Sequence, residues 1–260
     1  MDITSIVGIV IGFGLLLLGF LEEGGSLSML VVPSAFVIVF GGTIGATVMS
    51  FTLADLKKMP AIFKAVFTDK KIDYANVLES LVAIADSARR EGLLSLEAKI
   101  NDIENPFFAR GLNLVIDGTD PELTRNMLEM EIQAYEDEQK VGSEIFMTAG
   151  GFGPTMGIIG TVMGMVNVLS NLSNPEELSA AIAVAFLATL YGISSANLLW
   201  IPFGNKIKVK TKRELLLMEM ILEGILSVQA GENPRVIREK LMTFLSEDIK
   251  KELNNKAEEN

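Results

Sequence analysis

Residues Phe146–Asn171 read FMTAGGFGPTMGIIGTVMGMVNVLSN, an uncharged run with a proline at Pro154 and glycines at Gly153, Gly157, Gly160 and Gly164. A second uncharged run, Leu178–Gly204, follows after a short acidic break. Each is longer than the roughly 20 apolar residues that cross a bilayer. Glycines at this spacing let helix backbones approach closely, so the row marks a helix-packing face. Two further apolar runs, Ile3–Leu21 and Leu30–Phe51, lie near the N-terminus. The first has Asp2 in place of a basic start and lacks a small-residue cleavage site before Glu22–Glu23, so it reads as a retained span.

The fold class that follows is all-α: a polytopic membrane protein with four transmembrane helices and a helical cytoplasmic domain. Hydropathy divides the chain into spans one and two (1–51), a cytoplasmic helical domain (52–145), spans three and four (146–205) and cytoplasmic C-terminal helices (206–260). A mean hydropathy of +0.39 beside a net charge of −11 fits this segregation of apolar spans from an acidic portion in water. The connectors Glu22–Ser28 and Leu172–Leu178 hold glutamates but no Lys or Arg. Lys57, Lys58 and Lys64 follow span two, and Lys206, Lys208, Lys210, Lys212 and Arg213 follow span four. The positive-inside rule therefore places both termini and 52–145 in the cytoplasm, with Trp200 near the cytoplasmic end of span four. In the water-exposed portion, helical periodicity covers Tyr74–Ala88, Leu112–Ile116, Pro121–Glu138, Arg213–Ala230 and Pro234–Leu253, and cytoplasmic helices are expected to prolong spans two, three and four.

The chain has no histidine and no cysteine, which removes imidazole and thiol catalysis and the familiar zinc sites. No G-x-x-x-x-G-K-[ST] loop is present. An enzyme is not expected, nor a resident cofactor, metal or nucleic-acid partner. None of the four spans contains an Asp, Glu, Lys or Arg between its flanks. Ion carriers need an intramembrane ionisable group, so either no ion passes or a partner brings the carboxylate. Hydroxyls at Thr155, Thr161, Thr189, Ser194 and Ser195 are possible secondary ligands, or simply bond a carbonyl one turn back. Thr161 lies about 25 Å of helix beyond Glu144, and Thr189 about as far from Lys206, so the two can share one level. Pro154 and Pro202 each remove a backbone donor and free a carbonyl.

The sequences GFGPTMGIIGTVMGMVNVL and Ile201-Pro202-Phe203, with LEGILSVQAGENPRVIREKL near the C-terminus, together resemble the flagellar-stator (MotA) branch of the MotA/TolQ/ExbB proton channel family. A fourth span and the segment ARREGLLSLE favour that branch over the three-span energisers, which are the alternative reading. A membrane scaffold without ion flux is a third. The resemblance implies a pentameric ring in the lipid bilayer of the bacterial cytoplasmic membrane. The ring surrounds a MotB-type, single-span, peptidoglycan-binding partner that supplies the ion-binding Asp. It also implies torque on the rotor protein FliG through Arg89, its neighbour Arg90, and Glu97. Pro154, Thr155 and Thr189 match the ion pathway, and Pro154 and Pro202 match the two coupling prolines. Thr161 resembles sodium-driven members where some proton-driven ones carry alanine. The transported ion is H+ or Na+, with H+ expected, because a proton needs only the partner carboxylate and a water path.

Overall fold

The computed structural model describes residues 2–69, 72–100, 102–170, 175–247, 249–251 and 253. All regular structure among them is helical: α1 (Ile3–Glu22), α2 (Pro33–Phe36), α3 (Gly42–Ser50), α4 (Leu53–Lys57), α5 (Met59–Phe67), α6 (Tyr74–Glu91), α7 (Glu97–Ile100), α8 (Pro106–Ile116), α9 (Pro121–Ser170), α10 (Pro175–Ser195), α11 (Ile201–Gln229) and α12 (Pro234–Met242). Four helices are long and apolar enough to cross a membrane, the first being α1 and the second Leu27–Ser50. The third and fourth lie in Pro121–Ser170 and Leu178–Gln229. Of the acidic connector Leu172–Leu178, residues 172–174 fall outside the described residues.

Local chemistry sets the helix ends. Asp2 caps α1, accepting the Ser5 N–H at 3.4 Å, and the chain leaves α1 through Gly24 at φ +85°. Pro33 opens α2 at a first-turn position, where its missing N–H costs nothing. Span two then passes through one π turn, Val37–Gly41, before α3. It does not continue into a longer helix as expected. Phe51 is extended, and Thr52 and Asp55 form a capping box that starts α4 afresh by satisfying each other's backbone N–H groups. Spans three and four do continue. No proline lies between Glu138 and Phe146, and α9 runs continuously for 50 residues. Span four passes through a second π turn, Ala196–Trp200, into α11. The C-terminal helix expected over Pro234–Leu253 is interrupted: α12 ends at Met242 in a turn, and helix resumes at residues 247, 249–251 and 253.

The chain divides into two compact units, Met1–Asp69 with Gln139–Val209 and Lys70–Glu138 with Lys210–Asn260. Packing thus separates the chain at points other than those hydropathy marks, and residues 53–67 join the unit that holds the spans. The reason is aromatic. Phe63 and Phe67 of α5 meet Phe203 edge-on, with ring centres 5.8 and 5.5 Å away, and Phe146 lies 5.7 Å from Phe203. The other unit has an aliphatic core. Leu78, Leu81, Leu112, Leu128, Met220, Ile221, Ile225, Ile237 and Leu241 are all fully buried there.

Candidate ion-path and coupling site

The site begins with how closely spans three and four approach. Gly153, Gly157, Gly160 and Gly164 are all buried. A Cβ on Gly157 would lie 3.0 Å from the Ala188 carbonyl oxygen, and one on Gly164 would lie 2.9 Å from the Ala185 Cα. From the other side, a Cβ on Gly192 would sit 2.5 Å from the Gly153 carbonyl oxygen. The glycine row lies against a neighbouring span at these distances. Its counterpart is Ala185, Ala188 and Gly192 of span four in the same chain.

This close approach brings Thr161 and Thr189 together. Their hydroxyls hydrogen-bond each other, and Thr161 Oγ1 is 3.1 Å from the Gly157 carbonyl and 3.0 Å from that of Ala185. Thr155 sits apart: it is exposed, and its hydroxyl donates to the Phe152 carbonyl at 2.8 Å. Ser195 is buried and donates to Gly192 at 3.1 Å. Pro154 lies inside α9, so the Gly150 carbonyl four residues back receives no bond from it. Pro202 stands just after the π turn and likewise gives no bond to the Leu198 carbonyl four residues back. Trp200 packs in the aromatic cluster, and its indole N–H is buried without a partner among the described residues.

Arg89, Arg90 and Glu97 lie in the other unit. Asp73 caps α6, accepting from the Asn76 N–H at 3.0 Å, and Gly92 at φ +86° ends it. The last turn of α6 thus carries Arg89 and Arg90, and α7 opens on Glu97. All three are exposed. Arg90 pairs with Asp86 at 3.1 Å, whereas Arg89 and Glu97 make no ion pair among the described residues. In the same unit, Glu223 pairs with Lys240 at 2.9 Å and Arg125 at 3.3 Å. Burial pushes the Glu223 carboxyl up, but Lys240 and then Arg125 outweigh it and hold it below the usual carboxylate range. No cluster of His, Cys, Asp or Glu able to hold a metal occurs among the described residues.

Residues 99–220 match the MotA/TolQ/ExbB proton channel family, and residues 6–92 match the Motility protein A N-terminal family. Motility protein A of Bacillus subtilis (strain 168) is 41% identical over 246 residues, covering 94% of this chain and 91% of that protein. The chain belongs to the MotA/TolQ/ExbB proton channel family. Two solved structures agree with it along nearly their whole length. The flagellar MotAB stator complex from Bacillus subtilis gives a TM-score of 0.90 at 40% identity, covering 96% of this chain and 99% of that one. C. jejuni MotAB gives a TM-score of 0.90 at 32% identity, covering 95% and 97%. The chain thus shares its all-helical fold with these MotAB structures.

Sequence reasoning missed two parts of this arrangement. Tyr191 of span four donates to the Leu30 carbonyl and accepts the Val32 N–H at 3.2 Å, which supplies the start of α2 with a partner. Asp2 and Lys206, each noted only for its charge, form an ion pair at 2.8 Å. Nothing in their 204-residue separation marks them as neighbours.

Proposed function

We propose that the chain is the ring subunit of an ion-driven flagellar stator, coupling ion flow through a complex with a MotB-type partner to torque on the rotor. The observation that carries the proposal is the hydroxyl pair Thr161–Thr189, set where two charge-free spans touch backbone to backbone. Polar oxygens at one depth, with no acid in any span, suit a path completed by a carboxylate from outside the chain. The partner is a single-span, peptidoglycan-binding subunit whose Asp stands beside Pro154, Thr155, Thr161 and Thr189. Protonation of that desolvated Asp changes the charge next to Pro154, and bending there and at Pro202 carries the change along the helices. Five copies surround the partner in the bilayer of the bacterial cytoplasmic membrane, with both termini in the cytoplasm, and H+ is the coupling ion. Arg89, Arg90 and Glu97 meet FliG. Exposed charge pairs suit this contact, since each contributes only about 0–1 kcal/mol and separates readily as the rotor steps.

The test is deletion of the chain with its partner left in place. The expected result is cells with intact flagella that do not swim, restored by the wild-type chain. Normal swimming in the deletion strain would overturn the proposal, and loss of an outer-membrane uptake function would point to an energiser of the ExbB/TolQ type.

A further inference from the structure

Lys206 would be expected to serve as a free positive charge at the membrane surface, but its ammonium is engaged within its own unit. It donates to Asp2 Oδ1 at 2.9 Å and to Thr4 Oγ1 at 2.6 Å, and Asp2 Oδ2 lies 2.8 Å away in an ion pair. The Asp2 side chain is 7% exposed and that of Lys206 26%. A neutralised, hydrogen-bonded pair of this kind offers little to a lipid phosphate. The same corner is tied a second way: the Asp2 N–H donates to the Phe67 carbonyl at 2.8 Å, and Ser5 Oγ donates to that of Val66 at 3.2 Å. The start of α1, the end of α5 and the first turns of α11 are thereby joined at one point.

Lys206 lies one helical turn beyond Pro202, on the same face of the helix. Both line a cleft of about 250 Å³, together with Gly8 of α1 and Asn197 and Leu198 of the π turn. A Cβ on Gly8 would have nothing within 4 Å, so the cleft is open on the α1 side. Three features that allow bending therefore meet there: a π turn, a proline without a donor, and unfilled volume. Immediately beyond them, the helix is fastened.

Building on the stator reading, we infer that Asp2 and Lys206 are positioning residues for the ion-driven stroke. Their ion pair holds the helix one turn past Pro202 against the foot of span one. Bending at the π turn and Pro202 is then taken up in the cleft and delivered to α1 and α5, so the exit of span four does not swing freely.

The experiment complements the deletion strain with Asp2→Asn, Lys206→Met, and the two together. It reads the amount of complex in membranes and the torque per complex, taken from speed increments as complexes join a loaded motor. Each single variant leaves a charge unpaired, half-buried at Lys206 or buried at Asp2, and lowers the amount of complex. The double variant leaves none, so the complex returns to near wild-type amount while torque per complex falls at least about two-fold, the lower end for positions along a coupling path. Wild-type torque per complex in the double variant would overturn the inference. So would failure of the double variant to form complex, which would make the pair a folding support only. If the wild-type chain itself does not restore swimming, the stator reading fails instead.

Discussion

Thr161 and Thr189, 28 residues apart on different helices, share a hydrogen bond between their hydroxyls. Each hydroxyl has one proton, so when Thr161 donates to the Gly157 or Ala185 carbonyl, Thr189 must donate to Thr161. That leaves lone pairs at this level, which on the proposed function face an incoming proton or cation. Thr189→Val keeps the shape and removes the hydroxyl. It should leave the complex assembled and slow swimming by about half or more, a loss within the range of coupling-path substitutions. Swimming speed against external sodium, at fixed proton-motive force, should stay flat in the wild type. A speed that tracks sodium identifies Na+ as the coupling ion and makes Thr161→Ala the informative variant.

Gly192→Ala should be among the most damaging small substitutions in the spans. The new methyl would meet the backbone of Gly153 and Gly157 at 2.5 and 3.0 Å, with no side chain free to give way. Overpacking of this kind costs about 1–3 kcal/mol. Gly14→Ala on span one meets nothing within 4 Å and should shift stability by no more than about 0.5 kcal/mol. Thermal unfolding of both variants in the same detergent makes the comparison, and equal melting temperatures would contradict it.

Arg89→Glu and Glu97→Lys should reduce motility while leaving the complex and its ion flux intact. Both side chains are exposed, and neither supports a neighbour among the described residues through an ion pair. A reversed charge on the rotor protein should partly restore swimming. If no rotor reversal compensates either variant, the charged surface acts elsewhere.

Glu223 ties α11 to α9 and α12 through Arg125 and Lys240. Its carboxyl is held below its ordinary value, so its stabilising contribution is present above the unfolded-state pKa. It is lost as pH falls through the lower folded-state value. Glu223→Gln should therefore destabilise the chain by about 1 kcal/mol at neutral pH, discounted for the partial exposure of the pair. The difference from wild type should begin to shrink as pH falls below the ordinary glutamate value of about 4.3 and close below the lower folded-state value. Unfolding curves of the whole chain across that window decide it, and a gap that widens towards acid would be the wrong sign.

The spans were legible because hydropathy over twenty residues is a one-dimensional signal, and charge at their flanks is another. The glycine row was legible too, but its receiving face was not. Ala185 and Ala188 count towards apolar content in any span, and only the contact shows that they are there for their size. The end of span two could have been found, since Thr52-x-x-Asp55 is a capping box in the sequence; the positive charges beyond it drew attention instead. The π turns left no mark, because Val37–Gly41 and Ala196–Trp200 have ordinary helix-compatible compositions. The aromatic cluster joins Phe63 and Phe67 to Phe146 and Phe203, and the Asp2–Lys206 pair joins the two ends of a still longer separation. Neither leaves a local pattern to read.

The absence of any acid or base within the four spans also bears on how a cell can make this protein safely. Every span can leave the translocon on its own hydrophobicity, with no buried charge waiting for a counter-ion. On the proposed function, newly made copies accumulate in the membrane, unpaired, without opening a leak in the gradient on which the cell depends. Energy is then put at risk only when the partner's carboxylate arrives, so the supply of the partner sets how much of that gradient is ever spent.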